Sequence, residues 1–183
     1  MTTQSKKNIS KEKATNLLKD GLPIKDLYVK GALEIETNET WNKDVVFENC
    51  IVEYFSGSVT QFDKPVMLIN CHFKNCQFIF TYFSGGLVID NCTFDNYLDF
   101  QAGGHNKRGN PVILSNNDFR GFVNFFDCWY ENEVTIINNK FHKETNLLGK
   151  PFNIPVTFDI QPFIKDNFGK LDLDNEGEKT VKE

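Results

Sequence analysis

The chain has 183 residues, a length that suits one domain with a substantial buried core. Its net charge is −5, and its only arginines are Arg108 and Arg120. Because affinity for nucleic acid comes largely from Lys and Arg side chains that neutralise phosphates, this charge balance argues against a nucleic-acid partner.

The N-terminal 18 residues contain neither the apolar stretch nor the small-residue cleavage site of a secretory signal. No run of about 18 apolar residues occurs anywhere, so we expect no membrane-spanning helix and no membrane partner. The five cysteines are an odd number. Without a signal peptide, they predict reduced thiols in a cytoplasmic protein.

The sequence divides into three parts. Residues 1–23 predict a polar tail and a short helix from Ser10 to about Asp20, with Ser10 as N-cap and Gly21 and Pro23 as the stop. We expect this helix to cover the open end of a stacked sheet, the alternative being an unrelated surface helix. Residues 24–171 form the main body, and the charged residues 172–183 predict a flexible tail.

The main body contains six copies of one short pattern. Each copy has two apolar residues five positions apart, and the first five copies place an asparagine two positions after the first of them. The six pairs are Phe47/Val52, Leu68/Phe73, Ile89/Phe94, Leu114/Phe119, Ile136/Phe141 and Phe158/Phe163. By subtraction of these numbers, the first members lie 21, 21, 25, 22 and 22 residues apart. Such self-similarity indicates a repeat architecture.

The stretch 66–83 shows the basic step most clearly, with Leu68, Phe73, Phe78 and Phe83 five residues apart. This step matches neither the period of a helix nor that of a strand. A repeat of 21–22 residues is too short for a strand and an ordinary crossover helix, and the spacing of leucine-rich repeats is absent. The sequence therefore predicts an all-β right-handed parallel β-helix, a solenoid of about six to seven coils stacked about 4.8 Å apart.

In such a solenoid, equivalent residues of successive coils lie above one another. This predicts three columns: an inward aromatic column, an asparagine column at a bend where left-handed backbone is tolerated, and a small-residue column beside it. Their members are Phe73, Phe94, Phe119 and Phe141; Asn49, Asn70, Asn91, Asn116 and Asn138; and Cys50, Cys71, Cys92, Asn117 and Asn139.

The stacked cysteines predict structural packing. In-register side chains keep their Cβ atoms about 4.8 Å apart, beyond the usual 3.5–4.5 Å of a disulfide. A straight column also lacks the tetrahedral convergence of a zinc site. Because free cysteine behaves as a small buried hydrophobe, we expect neither a disulfide nor a metal here.

The pentapeptides CHFKN and CQFIF at 71–80 resemble the pattern of pentapeptide-repeat proteins, and VTIINNKF and LVIDNCTF are similar to coils of right-handed β-helix proteins. The resemblance covers residues 24–165 and implies the fold. It also implies a function, because some pentapeptide-repeat proteins imitate DNA with an acidic rod and bind topoisomerases. Two departures stand against a tight square coil: the coils here are longer than 20 residues, and most hold the five-residue step at one corner only.

The first candidate site is the loop 101–111, where the coil that starts at Leu87 is longest. Insertions in solenoids lie in loops, often on a binding face. His105, Lys107 and Arg108 make this loop the most basic exposed patch beyond the N-terminus. A tolerated surface insertion is the alternative.

The second candidate site is the segment 125–133. Phe125 and Phe126 are adjacent and cannot both point inward, and Trp129 and Tyr130 follow within the turn. Exposed aromatic residues are enriched at interaction hot spots. We therefore expect Phe126, Trp129 and Tyr130 to bind a protein partner, with Tyr82 and Phe83 of an earlier coil as a possible extension.

Carboxylate chemistry is the alternative from a different class, because parallel β-helices include polysaccharide lyases and hydrolases. A glycosidase needs two carboxyl groups about 5–9.5 Å apart across a cleft. Convergence of the acidic side chains on Arg108 or Arg120 in a groove would favour a carbohydrate-active or carbohydrate-binding protein, whereas scatter would favour a binding module. The acidic candidates are Asp90, Asp95, Asp99, Asp118 and Asp127.

The sequence as a whole favours a non-catalytic binding module that engages another macromolecule, with no catalytic residue and no cofactor. His72 and His142 are expected at outward positions as surface residues. The final coil, 156–168, leaves a parallel edge that a second copy of the chain would cover, so a homodimer through this end is a further expectation.

Overall fold

The computed structural model describes residues 6–35, 37 and 40–178. Within them the chain forms a mostly β, parallel solenoid of about six turns with one short helix near the N-terminus, which confirms the predicted fold class. No described helix is long and apolar enough to cross a membrane.

The elements are short, as expected where the chain turns a corner every few residues. In chain order they are β1 Lys7–Ile9, α1 Lys11–Lys19, β2 Ile24–Lys25, β3 Leu27–Glu34, β4 Thr40–Trp41, β5 Val45–Glu48, β6 Ile51–Ser56, β7 Gln61–Phe62, β8 Val66–Ile69, β9 His72–Gln77, β10 Leu87–Asp90, β11 Thr93–Phe94, β12 Leu98–Asp99, β13 Val112–Ser115, β14 Asp118–Phe119, β15 Val123–Asn124, β16 Trp129–Tyr130, β17 Val134–Ile137, β18 Lys140–Phe141, the 3₁₀ turn Pro151–Asn153, β19 Thr157–Phe158 and β20 Phe163–Lys165.

The strands stack into three walls. Wall A has the order β1-β3-β6-β9-β11-β14-β18, with β12 and β15 beside it, and wall B has the order β2-β5-β8-β10-β13-β17-β20. Wall C consists of the pairs β4-β7 and β16-β19, joined by the parallel bridges Gln61–Tyr82, Tyr82–Gly104 and Gly104–Trp129. Within the walls, equivalent residues of successive turns pair directly, as Leu87 does with Val66 above and Val112 below.

The predicted phenylalanine column is present and fully buried. The ring centroids of Phe73, Phe94, Phe119 and Phe141 are 5.2, 5.3 and 5.0 Å apart in succession, with near-parallel planes. A second stack joins Phe78, Phe100 and Phe125 at 5.5 and 5.1 Å. Since a buried aromatic side chain removes 150–250 Å² from water, these rings dominate the core.

The predicted asparagine column occupies the bend between walls B and A. Asn49, Asn70, Asn91, Asn116 and Asn138 all have φ between 51° and 59°, in the left-handed region that asparagine tolerates. The Asn91 amide donates to the Asn70 side-chain oxygen at 2.7 Å, whereas the Asn116 amide donates to Asp90 instead. The Asn138 amide likewise donates to Asn116, so the ladder is formed in part, by bonds between two pairs of its members.

The small-residue column satisfies backbone groups at the same bend. Each side chain accepts the backbone N–H of its equivalent in the preceding turn: Cys50 N–H donates to Cys71 Sγ at 3.3 Å, Cys92 N–H to Asn117 Oδ1 at 2.8 Å and Asn117 N–H to Asn139 Oδ1 at 3.0 Å. All five cysteines are free and buried. The column therefore acts as a hydrogen-bonding seam inside the solenoid.

The N-terminal end of the solenoid is closed. Ser10 Oγ accepts the N–H of Lys13 at 3.3 Å, as an N-cap should, and α1 buries Ala14 and Leu18 against the first turn. Where the sequence predicted a polar tail, residues 7–9 form β1, which pairs with β3.

Residues 172–178 follow the last turn, in the part of the chain for which the sequence predicted a flexible tail. They run back along the outside of the solenoid, where the Leu173 N–H donates to the Thr145 carbonyl at 3.2 Å. They contact residues of several earlier turns.

Candidate functional site

The outward row of wall C presents aromatic side chains to solvent. Its equivalent positions are Gln61, Tyr82, Gly104 and Trp129 in four successive turns. Tyr82 is 40% exposed and Trp129 is 45% exposed. Between them the row would be empty, because Gly104 has no side chain.

His105 fills this gap through an unusual backbone conformation. By register it belongs to the inward row, since Phe83 N–H donates to the Gly104 carbonyl and His105 N–H to the Trp129 carbonyl. Its φ of 55° turns the imidazole outward. The ring lies 4.2 Å from the Tyr82 ring and 5.5 Å from the Trp129 ring, measured between centroids. A Cβ at Gly104 would lie 2.2 Å from the Trp129 carbonyl oxygen, so this arrangement needs the glycine.

Polar contacts hold the His105 and Trp129 rings in place. The Trp129 indole Nε1–H donates to Asp159 Oδ1 at 2.9 Å, and His105 Nδ1 lies 3.6 Å from Glu131 Oε2. Both contacts bridge successive turns. Because the backbone ladder fixes the turns and these side-chain contacts fix the rings, the surface is pre-organised, which lowers the entropic cost of binding.

Two further apolar side chains extend the surface towards the N-terminal end. Val59 is 49% exposed and Phe80 is 54% exposed, and with Tyr82 they line an open depression of about 350 Å³ that also includes Thr60 and Gln61. We call the five residues Val59, Phe80, Tyr82, His105 and Trp129 the aromatic corner.

The backbone under Val59 and Phe80 is left-handed, with φ of 54° and 53°. A β-branched residue at positive φ is an outlier, and such positions cost on the order of 1–3 kcal/mol. At the equivalent left-handed bend between walls B and A, every turn from Asn49 to Asn138 uses asparagine. The choice of exposed apolar residues at the second bend is therefore not explained by the needs of the fold.

The predicted site residues separate into four groups, the last of which is the buried Tyr130. Trp129 and His105 meet in the aromatic corner, although the sequence placed them in two different candidate sites. Lys107 and Arg108 lie at the exposed tip of their loop. Phe126 is half-buried and packs edge-on against Phe152 at 5.7 Å.

Tyr130 does not belong to the surface. It is 2% exposed and stacks on Phe158 at 5.5 Å inside the solenoid. The physical reason is strand parity: side chains of adjacent strand residues point to opposite faces, so an exposed Trp129 requires a buried Tyr130. Phe83 is likewise buried, for the same reason relative to Tyr82.

Sequence reasoning missed Val59 and Phe80. The five-residue step did contain a signal, because it fixes Phe78 as inward. A chain that turns a corner two residues later brings Phe80 to the bend. Only the backbone angles reveal that this bend repeats the conformation that the Asn column adopts at the other bend.

The acidic residues proposed for carbohydrate chemistry do not form one groove. Asp95 and Asp118 both bind Arg120, at 2.9 and 3.2 Å, and each also binds a histidine: His72 Nε2 lies 2.8 Å from Asp95, and His142 Nε2 lies 2.6 Å from Asp118. Burial raises the pKa of Asp118, but the bonds from His142 and Arg120 outweigh this effect and hold the pKa below its usual value. These carboxylates are ion-paired along the outside of wall A.

The other three acidic residues are dispersed. Asp90 accepts hydrogen bonds from Ser115 and Asn116 at one bend, Asp99 is buried beside Asn124, and Asp127 is exposed at the other bend. Among the described residues, no three His, Cys, Asp or Glu side chains are grouped closely enough to hold a metal ion.

Comparison of the chain with protein-family models, with curated proteins and with solved structures gave no match.

Proposed function

We propose that this protein is a non-catalytic binding module that engages a protein partner through the aromatic corner. The rigid solenoid holds Tyr82, His105 and Trp129 in a fixed row, and rigid aromatic anchors provide large contact area at low entropic cost. Charged groups flank the row, with Glu131 beside His105, Asp159 beside Trp129 and the exposed Lys107 two residues after His105, which suits a polar rim around an apolar centre.

One observation carries this proposal: exposed apolar side chains occupy the left-handed bend at Val59 and Phe80. These residues are unfavourable there on two counts, backbone conformation and exposure to water. Local rules are broken mainly at functional sites, where another requirement outweighs the stability of the free protein. Burial of these side chains in a complex supplies such a requirement.

The test changes one residue of the left-handed bend and one ring of the exposed row. Phe80→Asn and Trp129→Ala are introduced separately into tagged full-length protein, and partners are recovered from a cell extract after cross-linking. Leu22→Asn, which changes a comparably exposed apolar residue near the N-terminal end of the solenoid, is the matched control. We expect the same partner to be recovered with wild type and control and to be lost, by tenfold or more, with both corner variants. Equal recovery with all four proteins would contradict the proposal.

Carbohydrate binding is the second candidate function. The observation that favours it is the row of exposed rings one turn apart, with the amide of Gln61 and the carboxylate of Asp159 beside them. A glycan array with wild type and Trp129→Ala distinguishes the two functions. Glycan binding that disappears in the variant would favour carbohydrate binding, and absence of any glycan binding would favour the protein partner.

The pentapeptide-repeat resemblance remains part of the proposal rather than its basis, and it is supported by the repeats at 71–80. Its DNA-mimic variant receives less support, because acidic and basic groups alternate along wall A in the series His72, Asp95, Arg120, Asp118, His142. Such a series does not present the continuous negative surface of a DNA backbone. A cytoplasmic location also belongs to the proposal, since the described cysteines are all free.

A homodimer through the last turn is a further partner proposal. Phe163 is 57% exposed and Phe168 is 65% exposed on this turn. Pro162 lacks an N–H and Lys165 is charged, and both features oppose pairing of strand edges, so two copies would meet through their rings rather than extend the sheet. Light scattering at high protein concentration tests this proposal. A wild-type dimer that Phe163→Ser dissociates would support it, and a monomeric wild type would contradict it.

A further inference from the structure

A groove on the outside of wall A is already occupied by the chain's own acidic segment. Residues 172–178, here called the strap, cross three turns of the solenoid after the last coil. Lys150 contacts the beginning of the strap and Tyr97 its end. The strap makes these contacts through few apolar side chains, since among its residues only Leu173 is aliphatic.

The groove binds the strap largely through its main chain. The Asn146 side-chain amide donates to the Asn175 carbonyl at 3.1 Å, and the Tyr97 hydroxyl donates to the Glu176 carbonyl at 2.6 Å. Burial raises the pKa of Tyr97, so its hydroxyl remains a donor throughout the physiological range.

The groove also binds two acidic side chains. The backbone N–H of Lys150 donates to Asp174 Oδ1 at 2.7 Å, and the Asn124 amide donates to Glu176 Oε2 at 3.4 Å. Beside them lies a cavity of about 390 Å³ that reaches Glu178 and is lined by Lys143 and by the Arg120–Asp95 ion pair. Hydrogen bonds to ionised acceptors are stronger than neutral ones, so these donors favour acidic residues at alternate positions.

A glycine is required at the next position. Gly177 has φ of +67°, and a Cβ there would lie 2.4 Å from Cγ of Phe122. Phe122 in turn stacks on Tyr97, with 5.9 Å between ring centroids. The Asn175 side chain accepts the Gly177 N–H at 2.8 Å and bends the strap over this aromatic pair. The sequence Asp174–Gly177, DNEG, therefore matches the groove residue by residue.

We propose that this groove is a docking site for a bent acidic peptide of the form Asp-x-Glu-Gly, and that the strap occupies it in cis until a partner's acidic segment displaces it. The strap is suited to release because it lies beyond the last turn and five of its seven residues are exposed, so its local opening costs far less than unfolding of the solenoid. This site is separate from the aromatic corner and does not depend on the function proposed for it.

The experiment uses full-length protein with a released strap and a fluorescent peptide that copies residues 170–178, KLDLDNEGE. Gly177→Val should release the strap, because the new side chain collides with Phe122 and disfavours the positive φ. We expect fluorescence anisotropy to show peptide binding at least tenfold tighter to Gly177→Val than to wild type. Gly109→Val is the matched control: this glycine also has positive φ, but nothing lies within 4 Å of its Cβ position, so the variant should behave as wild type.

Two further measurements identify the groove as the binding site. A second released variant, Asp174→Lys with Glu176→Lys, leaves the groove unchanged and should also bind the peptide. Tyr97→Phe in the Gly177→Val background should weaken binding roughly fivefold, the effect of one lost hydrogen bond. A peptide that carries valine in place of its glycine should not bind. If both released variants retain native circular dichroism and neither binds the peptide more tightly than wild type, the proposal is wrong.

Discussion

Individual residues at the two left-handed bends differ in how well they suit the backbone conformation. Asparagine at one bend satisfies the backbone conformation, whereas Val59 and Phe80 at the other do not. We therefore expect Phe80→Asn to raise the free energy of unfolding by about 0.5–1 kcal/mol, since asparagine tolerates positive φ and exposes no apolar ring. Chemical denaturation measures this change.

The reverse substitution at the other bend is the control. Asn91→Val should lower the free energy of unfolding by about 1–3 kcal/mol, because a β-branched residue at φ 51° is disfavoured and the bond to Asn70 is lost. A destabilised Phe80→Asn variant would show that the phenylalanine serves the fold of the free protein, and the argument for a binding role would fail.

Asp118 makes the stability of the solenoid depend on pH. Its pKa is below the usual value in the folded protein, so ionised Asp118 stabilises the fold above the unfolded pKa of about 4, and this contribution disappears as the pH falls through the folded pKa. We expect Asp118→Asn to melt below wild type at pH 6–7 and level with it at the most acidic pH where both still fold. A constant difference across the pH range would contradict this assignment.

At the level of the structural element, the hydrogen-bonding seam decides whether the turns remain stacked. Asn139 accepts the N–H of Asn117, and its own amide donates to the Leu114 carbonyl at 2.9 Å. Asn139→Ala removes the acceptor of the buried Asn117 N–H and one donor to the Leu114 carbonyl, so we expect a loss of about 1–3 kcal/mol in the free energy of unfolding. Asn139→Cys should lose less, because Cys92 fills the same column two turns earlier and accepts the N–H of Cys71. Equal losses would show that packing, not hydrogen bonding, gives the seam its importance.

The columns were predictable from sequence because each depends on one repeated spacing. Phe73, Phe94, Phe119 and Phe141 share a position in the repeat, and strand parity then places them on one face. The outward turn of His105 was not predictable, because it follows from a single backbone angle. The sequence also could not predict which of Trp129 and Tyr130 faces outward, since a shift of one residue exchanges the inner and outer faces of a strand.

The strap illustrates a different limit of sequence reasoning. Its charged composition is typical of flexible segments that cannot bury enough apolar surface to become ordered. It is held instead by donors from Tyr97, Asn124 and Asn146, which come from three turns and converge only in the folded solenoid. A local pattern cannot contain this information.

At the scale of the whole molecule, the two ends of the solenoid differ. β1 and α1 close the N-terminal end, whereas β20 ends wall B with a neighbour on one side only among the described strands. In a repeat protein each turn is stabilised mainly by its neighbours, so unfolding starts where a neighbour is missing. We therefore expect the turns near the C-terminal end to open first.

The cysteines allow this order to be measured. Burial raises the pKa of the Cys76 and Cys128 thiols, that of Cys128 to about 12, so neither is reactive while its turn is closed. In guanidinium chloride below the main transition, alkylation followed by mass spectrometry should label Cys128 before Cys76 and Cys50. Both Cys76 and Cys128 are buried, so their difference in rate reports position along the solenoid rather than exposure. Simultaneous labelling would instead indicate that all turns unfold as one cooperative unit, and the open end would then have no effect on how the protein unfolds.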